Sequence, residues 1–548
     1  MTVAPVPVPV PIPGPGKMSL LARSAALQRI WYHSDIVRLS IICVLGGSLG
    51  FYHISYLSLW NDEAFSRFYY QASLHFMWTE GLHSESSPPL YYMALRAWID
   101  CFGSSEAALR SLSAVASIIA IVLVYRLGSW LFDGRHGLLA AALFALSATE
   151  IYYAQEARCY ALLLIPVLAM LLACTDYIRG LDRYASLAAY IVAATVGIYT
   201  HTTMFFFVAA CGLSVFAYAM AVHGSLWDRR VRDWIGVHLC VGTLVLPAVI
   251  GMLDAQQTQQ LNWIPAVSLH QMGAIFSNTV AGTPTPGQFP GVVLAIAAAG
   301  VMTISIWRDM PPWRTMVIAV AIPSVYTALL ILASLAVPPI LLSRVFCRAG
   351  VPLYLIEAHA VMARGWLRPI AIGAILGTTV VGLYYQLSIH PNAKEPWRES
   401  IQFAATELQQ ADLIVLAPGT DPATFTYYAP KVRNVAMWWS EVLAPSEVGI
   451  TPRILNVPGT THEQIARRIK NPSSRVVLIA KDPDKATLKE LSSVARPPDQ
   501  RTDFRCRGGD SEPTTDPCGI AILAWRPPLV GTEQNVRPGG ISTYNAVQ

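Results

Sequence analysis

Charge is what this sequence lacks most. Asp, Glu, Lys and Arg together make up only 13% of its 548 residues, against roughly a quarter in ordinary globular chains. A soluble enzyme of this size is therefore excluded, and no nucleic-acid partner is expected. An export signal is lacking too. The stretch "VAPVPVPVPIPGPG" near the start cannot form the apolar helix that such a signal needs. Its repeated prolines favour an extended polyproline conformation, so residues 1–38 are read as a disordered, Pro-rich cytoplasmic tail. Metal-ligand spacing is also missing. Nine cysteines occur and none forms a CxxC pair, so no metal site is readable, although a divalent cation near the acidic residues described below stays open.

What the chain has instead is long apolar runs, such as "LSIICVLGGSLGFYHISYLSLW" and "LLLIPVLAMLLACTDY". Runs of roughly 20 apolar residues are long enough to cross a bilayer core. Length and breakers predict about 11 spans, near 39–59, 111–132, 136–153, 159–177, 186–200, 203–222, 235–253, 289–306, 315–336, 346–363 and 366–388. Arginine orients them. With a cytoplasmic N-terminus, the inside segments carry Arg23, Arg29, Arg38, Arg135, Arg179, Arg183, Arg229, Arg230, Arg308, Arg314, Arg364 and Arg368, as the positive-inside rule requires. An odd number of spans then places residues 389–548 outside the cytoplasm. The chain is expected to be a multi-pass protein of a bacterial inner membrane.

The last 160 residues change character. "ADLIVLAP", "RVVLIAKD" and "GIAILAWRP" read as short buried strands. "WRESIQFAATELQQ", "HEQIARRIK" and "KATLKELSSVA" read as helices. The alternation predicts a small periplasmic α/β domain over 389–526, followed by a disordered tail over 527–548. Most cysteines fall in or near spans, where Cys is a small apolar filler. Cys506 and Cys518 lie in the exported domain, where a disulfide closing the loop between them is expected.

Residues 60–110 form a long first outer loop with two amphipathic patterns. Phe65, Phe68, Tyr69, Ala72 and Phe76 share one helical face, and Leu90, Met93, Ala94, Ala97, Trp98 and Cys101 share another. Such helices are expected to lie in the membrane interface. At the start of the loop stand Asp62 and Glu63. One reading is helix capping; the other is chemistry at the membrane surface. Three further features lie at the same level: "YYAQEARCY", with Glu156, Arg158 and Tyr160; "YTHTTMF", with His201; and "SRVFCRAGVP", with Arg344 and Arg348 four residues apart on one helical face. Arginines at the outer surface suit an anionic lipid headgroup, while snorkelling for solvation is the alternative. For His201 the alternative is a structural hydrogen bond. The loop 254–288, polar and without an apolar run, is a candidate flap over the site.

The order of "WNDEA" (60–64), "PPLYY" (88–92), "SEAALRSL" (105–112), "QEARCY" (155–160) and "YTH" (199–201) resembles the GT-C glycosyltransferases over about residues 40–390. These include protein O-mannosyltransferases and the aminoarabinose transferases of lipid A. The resemblance implies a GT-C-like polytopic α-helical membrane protein with a small C-terminal extracytoplasmic α/β domain and a catalytic transmembrane region over 39–388. It implies inverting transfer of a sugar from a polyprenyl-phosphate donor to an extracytoplasmic lipid, glycan or protein. By the same resemblance Asp62 is the general base, and Glu63 orients the acceptor or stabilises the site. Arg158 is the first candidate for the donor phosphate, with Arg344 or Arg348 second. Glu156, Tyr160 and His201 are candidate substrate contacts. Relatives carry a histidine or another polar residue just before the two prolines. Here that residue is Ser87, with His83 slightly earlier, so His83 is either a substitute contact or a solvated loop histidine. The competing reading is a transporter or lipid flippase, which would place its ionisable residues near the bilayer midplane instead.

Overall fold

The computed structural model describes residues 34–69, 73–79, 88–257, 267–281, 289–336, 340, 342–389, 396–407, 413–416, 422–429, 435–437, 476–481, 500–505, 519–525 and 542–543. Helices dominate. They are α1 (Ser34–Phe51), α2 (Asn61–Tyr69), α3 (Leu74–Trp78), α4 (Leu90–Phe102), α5 (Glu106–Leu131), α6 (Gly134–Leu146), α7 (Ala148–Ala154), α8 (Tyr160–Arg179), α9 (Arg183–Thr200) and α10 (Met204–His223). After these come α11 (Arg229–Leu244), α12 (Leu246–Gln257), α13 (Leu269–Ala281), α14 (Phe289–Arg308), α15 (Trp313–Leu335), α16 (Ser343–Val361), α17 (Leu367–Tyr384), α18 (Trp397–Glu407) and α19 (Pro422–Tyr428).

Among the described residues six helices are long and apolar enough to cross a membrane: α1, α5, α8, α10, α15 and α17, the last with the turn that follows it. A seventh is counted if α6 and α7, bent by 63° at their junction, form one span. The remaining predicted stretches are also helical, in α9, α11–α12, α14 and α16, but fall short in length or apolarity. The bend between α6 and α7 is bound from α16: the Tyr354 hydroxyl lies 2.8 Å from Ser147 Oγ and 3.1 Å from Glu150 Oε1. Glu150 is thus a buried acid inside a predicted span, as is Glu357 on α16.

Short turns with acidic caps tie the helices together at the end predicted to be cytoplasmic. Asp133 accepts from the Arg135 and His136 amides at 2.9 and 3.0 Å, Asp182 from Ala185 at 3.2 Å and Asp228 from Arg230 at 2.8 Å. Each supplies an acceptor for amides that the first helical turn leaves unpaired. α5 and α6 approach through glycines. A Cβ on Gly137 would stand 2.5 Å from the Tyr125 carbonyl oxygen, and one on Gly128 would stand 2.8 Å from the Gly137 Cα. Small residues permit backbone contact of this kind between membrane helices.

The outer loop differs from expectation in how its faces are used. On α4 the buried side chains are Tyr91, Tyr92, Leu95 and Ile99, whereas Ala97 and Cys101, expected on the apolar face, are exposed. Phe65 and Tyr69 of α2 turn towards α4: the Tyr69 ring lies 4.5 Å from Tyr92 and 6.3 Å from Phe76 of α3, and Phe65 lies 6.4 Å from Tyr92. These helices therefore bury their aromatic faces against one another. Leu59, Met77, Leu109, Tyr153 and Tyr160 complete a core of their own, separate from the main helical core. The polar loop 254–288 is partly helical, since α13 lies within it and its Asn278 carbonyl accepts from Thr149 at 3.1 Å.

The C-terminal region builds one mixed sheet from β1 (Leu413–Leu416), β2 (Val435–Met437), β3 (Val476–Lys481), β4 (Gln500–Arg505), β5 (Gly519–Trp525) and β6 (Ser542–Thr543). The strand order is β2-β1-β3-β5-β4-β6. β1 is parallel to β2 and β3, β5 is antiparallel to β3 and β4, and β6 is parallel to β4. The three strands expected from the sequence are the adjacent β1, β3 and β5. β6 falls within the segment expected to be a disordered tail. Trp397 and Ile401 of α18 and Phe425 of α19 cover the sheet. "HEQIARRIK" and "KATLKELSSVA" lie outside the described residues.

Gly137→Ala is expected to destabilise the protein by about 1–3 kcal/mol, the usual cost of overpacking. The check is the unfolding midpoint in detergent, against Gly373→Ala, where no atom stands within 4 Å of the added methyl.

Candidate active site

The site begins where the chain leaves α1. Residues 52–57 form an irregular turn, and α2 starts directly after Trp60. The Trp60 carbonyl accepts from the Glu63 and Ala64 amides at 3.0 Å each. Asp62 therefore lies in the first turn of α2 and is not its cap. Glu63 reaches back instead, accepting from the Trp60 amide at 3.4 Å.

The two adjacent acids have different surroundings. Successive residues on a helix point about 100° apart, so one can enter the core while the other faces the surface. Glu63 is 0% exposed and faces Arg110 of α5, which is 2% exposed. Arg110 Nε donates to Oε1 at 2.8 Å and Nη2 to Oε2 at 2.7 Å. Oε1 also accepts from the Ala157 amide at 2.8 Å. The same guanidinium donates to the carbonyls of Ile54, Leu57 and Ser58 at 2.8–2.9 Å. Glu63, buried and bound in this way, faces the core rather than the surface.

Asp62 is about a third exposed. Its Oδ2 lies 3.1 Å from Arg344 Nη1 and 3.8 Å from Arg158 Nη2. Arg158 also donates through Nη1 to the Asp62 carbonyl and to Ser66 Oγ, at 3.2 Å each, while its Nε is buried with no partner among the described residues. Two arginines far apart in sequence thus converge on one partly open carboxylate. Arg348, one helical turn beyond Arg344, has its side chain outside the described residues.

The other candidates spread around this centre. Glu156 is buried and accepts from the Tyr152 hydroxyl at 2.6 Å, and its charge adds to the field at Arg344. Tyr160 is buried at the start of α8, its ring 5.9 Å from that of His201. His201 Nδ1 meets the Thr203 amide at 3.2 Å and its hydroxyl at 2.9 Å. This is the structural hydrogen bond weighed above for that residue. His83, Cys506 and Cys518 lie outside the described residues. Among the described residues, no three or more His, Cys, Asp or Glu side chains gather as metal ligands.

Three comparisons bear on this geometry. Residues 86–253 match the family model of dolichyl-phosphate-mannose-protein mannosyltransferases. The fold is similar to ArnT from Cupriavidus metallidurans bound to undecaprenyl phosphate, with a TM-score of 0.55 at 11% identity over 89% of this chain and 97% of that one. ArnT in its apo state gives 0.55 at 10% identity, over 91% and 98%. The resemblance to the GT-C glycosyltransferases is shown. The archaeal oligosaccharyltransferase AglB from Archaeoglobus fulgidus, in complex with an inhibitory peptide and a dolichol-phosphate, gives a weaker likeness: 0.48 at 12% identity, over 85% and 71%. No curated protein matches the chain by sequence.

Arg110 is the residue that motif reading passes over. It stands inside the quoted "SEAALRSL", and the signal available was an arginine at the start of an otherwise apolar helix. Arg110→Met leaves Glu63 charged and alone in the core, and is expected to cost about 3–5 kcal/mol. The double variant Arg110→Met, Glu63→Met is expected to recover part of that loss, since no buried charge is then unpaired. Unfolding midpoints of the two variants in detergent check both statements.

Proposed function

We propose that this chain is an inverting glycosyltransferase. It would take a sugar from a polyprenyl-phosphate donor and place it on an extracytoplasmic lipid, glycan or protein. The observation that carries the reading is the carboxylate of Asp62, partly exposed and flanked by Arg344 at 3.1 Å and Arg158 at 3.8 Å. A transfer of this kind needs one base for the acceptor hydroxyl and positive charge for the departing phosphate, without the covalent nucleophile of a retaining enzyme. The likeness to ArnT bound to undecaprenyl phosphate supports a polyprenyl-phosphate donor.

The two roles are coupled. In the structure the Arg344 guanidinium engages Asp62. A donor phosphate between Arg158 and Arg344 would compete for the same N–H groups through charge-assisted hydrogen bonds and release the carboxylate towards the acceptor. Donor binding would therefore precede base action. Glu156, Tyr160 and His201 would contribute contacts to the sugar or phosphate. The proposed chemistry requires no cofactor and leaves room for a divalent cation beside the acidic residues. The proposed setting is a bacterial inner membrane crossed about eleven times, with a cytoplasmic N-terminus and the C-terminal sheet in the periplasm.

The transporter reading is not favoured, because the charged groups of the site gather where α1 meets the outer loop. The test is transfer of radiolabel from polyprenyl-phosphate sugars into envelope fractions. Membranes carrying the native chain are compared with membranes carrying Asp62→Asn at equal expression. Loss of the base is expected to lower transfer by at least about 10²-fold. Equal labelling in both would remove Asp62 as the base.

Arg344→Ala should act on the donor side, raising the donor KM about tenfold, the equivalent of one charge-assisted hydrogen bond. Steady-state kinetics at saturating acceptor measure it, and an unchanged donor KM would detach Arg344 from the phosphate.

A further inference from the structure

The segment that delivers Asp62 to the site has no regular structure of its own, yet every carbonyl from residue 54 to residue 58 is bound by a guanidinium. Arg110 takes those of Ile54, Leu57 and Ser58 at 2.9, 2.8 and 2.9 Å. Arg398, in the first turn of α18, takes the rest: Ser55 at 2.8 Å and Tyr56 at 3.3 Å, and it shares Leu57 at 3.3 Å. One arginine comes from the membrane helix α5 and the other from the C-terminal domain. Each is balanced by a carboxylate. Arg110 pairs with Glu63, and Arg398 pairs bidentately with Glu106.

Glu106 and Arg110 are four residues apart on α5 and so share a face. The first turn of that helix therefore carries both halves of the arrangement. Glu106 also accepts from the Tyr428 hydroxyl of α19, and that hydroxyl accepts from the Leu59 amide at 2.7 Å. Burial, followed by the Glu106 charge, holds the Tyr428 phenol well above its ordinary pKa, so it keeps the proton it donates. Two smaller contacts extend the junction. The Arg398 amide donates to Ser58 Oγ at 3.1 Å, and Thr424 Oγ1 lies 3.3 Å from the side-chain oxygen of Asn61, the residue before Asp62.

We infer that Arg398, supported by Glu106 and Tyr428, is a positioning residue for Asp62, and that the C-terminal domain is thereby part of the catalytic unit of the membrane domain. The inference rests on the transferase reading above. A carbonyl-rich turn at the mouth of a span sits between lipid and water. Without fixed donors it exchanges partners with solvent, and α2 moves with it. Clamping it from both sides holds the base in one place relative to Arg158 and Arg344. Arg398 touches none of the groups assigned to donor or acceptor, so it acts through the turn.

The experiment uses the full chain in lipid nanodiscs and two readouts on the same samples. The first is transfer kinetics; the second is hydrogen exchange over residues 52–69. Arg398→Ala is expected to lower kcat between about tenfold and a hundredfold, the range of a base displaced by up to an ångström. The donor KM should stay within about twofold of the native value, since uniform binding is untouched. Exchange over 52–69 should rise. Arg398→Lys should restore only part of kcat, because a lysine lacks the planar fork. Tyr428→Phe keeps the ring and removes one hydroxyl, so it reads the same effect in smaller measure if Arg398→Ala does not fold.

Unchanged kcat, or a donor KM that rises while kcat holds, overturns the inference. So does unchanged exchange over 52–69. A native chain that transfers no sugar defeats the transferase reading and, with it, the role of Arg398 in placing a base. A native chain that does transfer, with Arg398→Ala equal to it, defeats the inference alone.

Discussion

The arrangement depends on one buried ion pair. Glu63 and Arg110 are both almost wholly removed from solvent, a costly state for two charges unless their geometry and remaining hydrogen bonds are well met. Here they are. The pair is bidentate, the carboxylate accepts two backbone amides besides, and the guanidinium donates to three carbonyls. Apolar packing could hold α2 against α5 equally well in energy. It could not bind the carbonyls of Ile54 and Ser58 in the turn before α2, which Arg110 holds and Arg398 does not. The ion pair does both, and so fixes where α2 begins and which way its first turn faces.

That orientation explains why two adjacent acids are needed. With Glu63 turned into the core, Asp62 points away from it and meets Arg158 and Arg344. Glutamate, with the longer side chain, reaches across to α5 and back to the Trp60 amide. Aspartate, with the shorter one, stays beside its own helix. Exchanging the two would leave the core pair short of its partner and push the surface carboxylate past the arginines. The division of work between them is set by side-chain length and helical angle.

The sequence made much of this legible, and the reasons for what it hid are physical. Apolar runs marked the helical stretches because burial in lipid needs uninterrupted hydrophobicity. The strands β1, β3 and β5 were visible because central strands covered by helices are apolar on both faces. β2, β4 and β6 were not: β4 is a polar strand, "QRTDFR", and the other two are two or three residues long. On α4 the apolar residues lie on nearly all sides, so hydropathy does not separate the buried face of Tyr91, Tyr92, Leu95 and Ile99 from the adjoining one, where Met93, Ala94 and Trp98 are half-buried and Ala97 and Cys101 exposed. Arg158 and Arg344 were readable as cations on the side expected to lie outside, and Asp62 by its place in "WNDEA". Arg110 and Arg398 were not, since an arginine that binds backbone carbonyls leaves no sequence partner to find.

The same contrast separates the two ways this fold uses arginine. Arg158 and Arg344 surround a carboxylate that is partly open, and Arg158 keeps a buried Nε–H with no partner among the described residues. Capacity of that kind is what an incoming anion requires. Arg110 and Arg398 have most of their donors committed to carbonyls and carboxylates inside the protein. On the proposed reading the first pair would exchange partners during transfer. The second pair could not do so without loosening the turn that carries Asp62. Arginine would then serve chemistry in one place and rigidity in another. The short helix α2 joins the two, because its first turn carries both Asp62 and Glu63.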